Sequence, residues 1–112
     1  MEASAHPFDR LTPEFIMDAV ESRGYLCDGR ILALNSYENR VYDLRLHDGS
    51  HVVSKFYRPG RWNEMQILEE HAFSLELQAA EISVVAPAVD SAGTTLHQYA
   101  GFRFALFPRR GG

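Results

Sequence analysis

Hydrophobic residues recur at a helical spacing near the start of the chain and at a two-residue spacing further on. The apolar face of the first pattern is made by Phe15, Ile16, Ala19 and Val20. Thr12 is a good helix cap, and Pro13 suits the first helical position because its fixed φ already matches a helix. Gly24 is typical of the residue that ends a helix. The sequence therefore predicts an N-terminal helix that begins after Thr12 and ends near Gly24.

Alternation after Asp28-Gly29 predicts three short strands, at 30–34, 41–46 and 51–57. In the second strand, Tyr42, Leu44 and Leu46 are expected on one side, with Asp43 and Arg45 on the other. Asp48-Gly49 predicts a hairpin turn between the second and third strands, because these residue types tolerate positive φ.

A long helix is predicted over 62–80, where no glycine or proline interrupts the chain. Two further strands are expected, one at 84–89, interrupted by Pro87 and so at an edge, and one at 101–107. The predicted fold is α+β: a five-stranded antiparallel sheet, an N-terminal helix and a long helix packed on one face.

Composition limits the classes of protein to consider. The chain has 112 residues, of which 46% are hydrophobic, so it is expected to form one folded domain. Its net charge of −4 argues against a general nucleic-acid binder. We expect neither a signal peptide nor a membrane span. The single cysteine, Cys27, suits a reducing cytoplasm and is interpreted as a small hydrophobe, and the scattered histidines predict no metal site.

The turn before the second strand has the composition of a phosphate-binding loop or of an ordinary hairpin. Its residues are Asn35, Ser36, Tyr37, Glu38 and Asn39. Asn35 and Asn39 can adopt left-handed geometry, and Ser36 adds a hydroxyl donor. The loop has no glycine and matches no G-x-G-x-x-G pattern. Composition alone leaves both interpretations open.

Lys55 lies in an otherwise apolar strand, on the same predicted face as Val53. A lysine there either reaches solvent or is held by a carboxylate, and the following helix offers Glu69 and Glu70. Glu70 is favoured by the apolar residues after it, but both glutamates stay candidates. If one of these glutamates holds the lysine in an ion pair, its carboxylate should lie within about 4 Å of the Lys55 ammonium group.

The sequence resembles the N-terminal lobe of the bacterial stress response kinases, serine/threonine protein kinases of the aminoglycoside phosphotransferase and choline-kinase-like group. The resemblance covers nearly the whole chain. The main matching runs are Leu34-Asn35-Ser36-Tyr37-Glu38-Asn39-Arg40-Val41-Tyr42, Lys55-Phe56-Tyr57-Arg58-Pro59, Gln66-Ile67-Leu68-Glu69-Glu70-His71 and Gly101-Phe102-x-Phe104-Ala105-x-Phe107-Pro108.

This resemblance implies that 1–112 form the nucleotide-binding small lobe of a cytoplasmic, ATP-dependent kinase. It implies an ATP contact at Ser36, with Lys55 on the phosphates and Glu70 orienting the lysine. The nucleotide-site residues expected from the pattern and the resemblance together are Asn35, Ser36, Tyr37, Asn39, Val41, Val53, Lys55, Glu70 and Phe107. The chain would need ATP, Mg²⁺ and a protein substrate with serine or threonine.

The catalytic base and the magnesium ligands of such kinases lie in a helical C-terminal lobe, which is absent from this sequence and would be a further partner. Two alternatives remain at this point. The acceptor could be a small-molecule hydroxyl, as in homoserine, aminoglycoside or choline kinases. The chain could instead be a truncated, non-catalytic binding remnant. The DNA downstream of Gly112 would separate a kinase from a remnant.

Overall fold

A five-stranded antiparallel sheet with one helix on each face forms the part of the protein that the structure describes. The computed structural model describes residues 8–34, 38–82 and 84–109. In chain order, the elements are α1 (Pro13–Glu21), β1 (Cys27–Leu34), β2 (Arg40–Leu46), β3 (His51–Phe56), α2 (Glu64–Ala79), β4 (His97–Tyr99) and β5 (Phe102–Pro108). The strand order is β1-β2-β3-β5-β4, and every neighbouring pair is antiparallel. The predicted fold class is confirmed.

Helix α1 begins as the sequence predicts. The Thr12 hydroxyl accepts a hydrogen bond from the Phe15 N–H at 3.1 Å, and Pro13 opens the helix. The helix ends at Glu21, and Gly24 follows with a φ of 100°. Its apolar face packs on the sheet in a core that includes Ile16, Ala19, Val20, Leu44, Val52, Phe56, Phe102, Phe104 and Leu106.

Alternation along β3 divides its side chains between the two faces of the sheet. Val52, Ser54 and Phe56 are buried toward α1, whereas Val53 and Lys55 are half-buried on the opposite face. The hairpin that joins β2 to β3 pairs Arg45 with His51, as expected from the intervening Asp-Gly turn. The face that carries Lys55 is therefore set by this register.

Helix α2 lies on the face that carries Lys55. It begins at Glu64 because Asn63 forms a capping box with Gln66: the Asn63 side chain accepts from the Gln66 N–H at 2.8 Å, and the Gln66 side chain accepts from the Asn63 N–H at 3.0 Å. Ile67 and His71 are the buried residues of this helix. Ile67 belongs to a small cluster with Tyr57 and Ala105 on this side of the sheet.

The predicted strand at 84–89 is wrong. The structure describes all of this segment, and the chain there is irregular, although Ala88 donates one backbone hydrogen bond to Leu106 at 2.7 Å. Pro87 lacks an N–H group and so cannot donate to a ladder. The fifth strand is instead β4, joined to β5 by a two-residue turn in which Ala100 and Gly101 have φ of 47° and 95°.

The two outer strands are irregular or short. In β1, the pairing with β2 shifts between Cys27 and Ile31, which is a bulge. At the other edge, β4 has three residues. Neither α1 nor α2, nor any other helix in the described ranges, has the length and apolar composition of a membrane span.

Candidate functional site

A cavity of about 480 Å³ lies on the face of the sheet that carries Lys55. Its lining is mainly apolar, with three charged side chains: Leu32, Leu34, Val41, Asp43, Val53, Lys55, Val85, Phe107, Pro108 and Arg109. The volume lies within the range of roughly 300–1,000 Å³ that is usual for small-molecule sites. The cavity therefore has the size and lining expected of a ligand site.

Strand register brings the predicted residues together at this cavity. Val41 pairs with Lys55 across β2 and β3, and Val53 pairs with Phe107 across β3 and β5. Directly opposed residues of an antiparallel sheet project from the same face. All four side chains are half-buried, so one wall of the cavity is apolar with an ammonium group at its border.

A second cavity, of about 150 Å³, adjoins the first at Lys55. It is lined by Asn39, Lys55, Tyr57, Trp62, Gln66, Ile67 and Glu70. The Trp62 Nε1–H is buried and has no hydrogen-bond acceptor among the described residues. A buried donor without an acceptor is costly, and Trp62 is one of the residues that line this cavity.

The ion pair expected from the sequence is not formed in this structure. Within the described residues, no carboxylate oxygen of Glu69 or Glu70 lies within 4.0 Å of the Lys55 ammonium. The ammonium nitrogen instead lies 5.2 Å from the centre of the Tyr57 ring. Glu70 faces the cavity that Lys55 also lines, whereas Glu69 lines a hollow on the outer side of α2.

The turn expected to contact phosphate is described only from Glu38 onward. Asn35, Ser36 and Tyr37 lie outside the described residues. Asn39 lines the smaller cavity, and its side-chain oxygen accepts the Arg58 N–H at 3.0 Å. Glu38 forms an ion pair with Arg61 at 2.9 Å. These two contacts fix the end of the turn to the segment that follows β3.

Sequence reasoning did not assign Asp43 to the site. This carboxylate is 8% exposed and lines the larger cavity, where Oδ1 lies 2.8 Å from His51 Nδ1 and Oδ2 lies 3.3 Å from Arg109 Nε. The alternation of β2 already predicted that Asp43 points away from Tyr42 and Leu44. The signal that it shares a face with Val53 was therefore present.

Sequence reasoning also missed a buried chain of hydrogen bonds next to the smaller cavity. The Tyr57 hydroxyl lies 2.8 Å from His71 Nε2, and the Thr95 hydroxyl lies 2.8 Å from His71 Nδ1. Burial lowers the pKa of His71 and raises the pKa of Tyr57, since it disfavours the charged form of each. The three hydrogen-bonded side chains, Tyr57, His71 and Thr95, are therefore neutral near neutral pH.

The part of the chain that the structure describes has no group of three or more His, Cys, Asp or Glu side chains placed to hold a metal ion. The residues around Lys55 thus fit an anionic or polar ligand, and they do not by themselves form a site for Mg²⁺.

The fold is that of a kinase small lobe. Amicoumacin kinase hAmiN, solved in complex with AMP-PNP, Ca²⁺ and Ami, superposes with a TM-score of 0.74 at 21% identity. The match covers 88% of this chain and 31% of that one. The model of the phosphotransferase enzyme family matches residues 30–112, so the chain belongs to that family.

Curated relatives extend this comparison over the whole chain. It is 48% identical over 112 residues to stress response kinase A of Escherichia coli K12 and of E. coli O157:H7. It is 46% identical over the same length to the serine/threonine protein kinase RdoA of Salmonella typhimurium. The chain spans about a third of the length of these relatives, 34% in each case, and matches their N-terminal part.

Proposed function

We propose that this chain is the nucleotide-binding lobe of an ATP-dependent kinase. The observation that carries the proposal is the position of Lys55 at the junction of two cavities. One is mainly apolar and suits a nucleoside, and the other holds donors and Glu70. A cation at such a junction is placed to bind phosphate groups that extend from the first cavity toward the second.

The walls of the larger cavity support this assignment physically. Val41, Val53 and Phe107 offer apolar surface on which a planar base can pack. Lys55 supplies a positive charge where the two cavities meet. Ser36 is proposed to add a hydroxyl contact from the turn, with Asn35, Tyr37 and Asn39 shaping that turn.

In the complete protein, the proposed reaction transfers the γ-phosphoryl group of ATP to a serine or threonine hydroxyl of a protein. Lys55 would hold the nucleotide phosphates while Glu70 orients the lysine. The base that takes the hydroxyl proton and the ligands of Mg²⁺ would come from the C-terminal helical lobe. The metal would supply positive charge that balances the phosphates.

A small-molecule acceptor is the second candidate. The fold neighbour is named as an amicoumacin kinase, and its structure was solved with that kinase's ligand Ami. The acceptor site would lie outside this chain, so the two candidates share the nucleotide site and differ in the proposed C-terminal lobe. Transfer of ³²P from [γ-³²P]ATP by the complete protein, to protein substrates and to a panel of small hydroxyl compounds, separates them.

Nucleotide binding by this chain is the direct test. Titration with AMP-PNP and Mg²⁺ should show saturable binding that Lys55→Met weakens by about tenfold or more, because a charge-assisted contact is lost. Arg58→Met is the matched control, since it removes the same charge from an exposed residue that lines neither cavity. Absence of saturable binding, or equal losses in the two variants, would overturn the proposed site.

A further inference from the structure

Helix α2 is attached to the sheet by two buried side chains, Ile67 and His71. Ile67 is an apolar contact and has no preferred direction, so on its own it would tolerate rotation or sliding of the helix. His71 is different, because hydrogen bonds are directional. The orientation of α2 on the sheet therefore depends on the contacts of His71.

Both ring nitrogens of His71 have partners, and these come from different segments of the chain. Tyr57, just after β3, lies 2.8 Å from Nε2, and Thr95, just before β4, lies 2.8 Å from Nδ1. All three residues are buried, with exposed fractions of 4%, 3% and 7% for Tyr57, His71 and Thr95. A shift of the helix would leave two buried hydroxyl groups without a partner.

The same tyrosine also touches the proposed nucleotide site. The Lys55 ammonium lies 5.2 Å from the centre of the Tyr57 ring, on the strand that leads into it. Glu70 directly precedes His71 in α2 and faces the cavity that Lys55 lines. A shift of α2 that breaks the His71 hydrogen bonds would therefore also move Glu70 relative to Lys55.

We propose that the hydrogen bonds of His71 with Tyr57 and Thr95 position α2 so that Glu70 faces the cavity that Lys55 lines. The inference rests on the nucleotide site proposed above and adds His71 as a positioning residue. His71 lines neither cavity, and it contacts the site through Tyr57, through its neighbour Glu70 and through an edge-on contact with Phe107, whose ring centre lies 6.5 Å from that of His71.

His71→Phe tests the proposal, because it keeps an aromatic ring and removes both hydrogen bonds. We expect the affinity for AMP-PNP to fall by about tenfold, the size of one lost charge-assisted contact. His71→Gln, which keeps a hydrogen-bonding group at the end of the side chain, should recover part of the loss. Ile16→Ala is the control: it opens the core on the opposite face of the sheet and should lower the melting temperature without lowering affinity.

A double-mutant cycle with Glu70→Gln separates positioning from general damage. If His71 acts through Glu70, His71→Phe should weaken binding by less than about twofold once Glu70 is already Gln. Additive losses, or the same loss of affinity in Ile16→Ala, would show that His71 is only structural and would overturn the proposal.

Hydrogen exchange provides a readout that does not need a nucleotide. His71→Phe should speed amide exchange in α2 while the exchange of β2 and β3 stays within about twofold of the parent. If the parent chain binds no nucleotide but exchange in α2 is selectively faster in the variant, the proposed function fails, whereas the positioning of α2 by His71 is supported. If amide exchange becomes faster throughout the protein, or nowhere, the positioning of α2 by His71 is rejected whatever the binding result.

Discussion

Lys55 and Glu70 line the same small cavity, but within the described structure they do not form an ion pair. The ammonium group lies over the Tyr57 ring instead. An exposed or half-exposed ion pair is worth only about 0–1 kcal/mol, so leaving it open costs little stability. The arrangement leaves the lysine without a carboxylate partner among the described residues, in a cavity that Glu70 also lines.

The two neighbouring glutamates of α2 give a matched pair of variants. In the complete protein, Glu70→Gln should lower the rate of phosphoryl transfer by about tenfold, because Lys55 keeps its charge but loses the carboxylate that is proposed to orient it. Glu69→Gln makes the same change of charge on the outer side of the helix and should stay within about twofold of the parent. Steady-state assays with [γ-³²P]ATP measure both rates.

The reverse result, a damaging Glu69→Gln and a silent Glu70→Gln, would identify Glu69 as the partner. Melting temperatures of both variants should stay close to that of the parent, because both side chains are exposed. A large drop in either would show that the activity loss comes from unfolding.

The isolated chain should self-associate through the wall of the larger cavity. Leu32, Leu34 and Val85 are 61%, 38% and 45% exposed there, which forms a contiguous apolar surface. Leu32→Asn should therefore shift sedimentation-velocity profiles toward monomer. Leu26→Asn, at a residue that is 66% exposed and lines neither of the two cavities at Lys55, is the control and should leave association unchanged. A parent chain that is already monomeric at high concentration would contradict this.

Stability should fall as the pH falls from about 7 to about 5. Burial lowers the pKa of His71 in the folded state, with Lys55 and His97 adding to the effect and Glu70 opposing it. Burial also lowers the pKa of His97. Below the unfolded value of 6.5, the unfolded chain binds more protons than the folded chain, so acid favours unfolding until the folded values are passed.

Melting curves at several pH values check this dependence. His97→Gln should flatten the curve, because it removes a buried imidazole. The hydrogen bond from the Ser50 hydroxyl is the main cause that lowers the pKa of Asp48. The dependence of stability on Asp48 lies at lower pH, below the ordinary carboxyl value of 3.8. A melting temperature that is constant or rises on acidification to pH 5 would contradict the assignment.

Cys27 should be inert to thiol reagents in the folded protein. It is 8% exposed, and burial, helped by the nearby Glu21 and Asp28 carboxylates, raises the pKa of its thiol to about 11. At pH 8 its thiolate population is about two orders of magnitude below that of an unperturbed cysteine. Labelling of Cys27 with a disulfide reagent should therefore need denaturant. Stoichiometric labelling of the native chain within minutes would contradict the prediction that Cys27 is unreactive.

Prediction from sequence worked best where a local physical signal was complete. Helix α1 has its cap and its apolar face in adjacent residues, and β2 and β3 have an alternation tied by Asp48-Gly49. These signals give the register, and the register places Val41, Val53, Lys55 and Phe107 on one cavity.

The features that were missed depend on contacts between distant segments. The strand β4 has three residues, too few to show alternation, whereas 84–89 is apolar but contains Pro87. The positions of the Lys55 and Glu70 side chains depend on how α2 sits on the sheet. That in turn depends on His71 meeting Tyr57 and Thr95, residues 14 and 24 positions away, which no local pattern reveals.

The irregular outer strands have a consequence for how copies of this protein can join. A long, flat strand with free N–H and C=O groups is a template on which another chain adds by backbone pairing, the route to fibrils. The bulge between Cys27 and Ile31 twists one such template, and the three residues of β4 leave little of the other. Association of this chain should therefore be reversible and side-chain driven, giving small soluble oligomers without thioflavin-positive fibres.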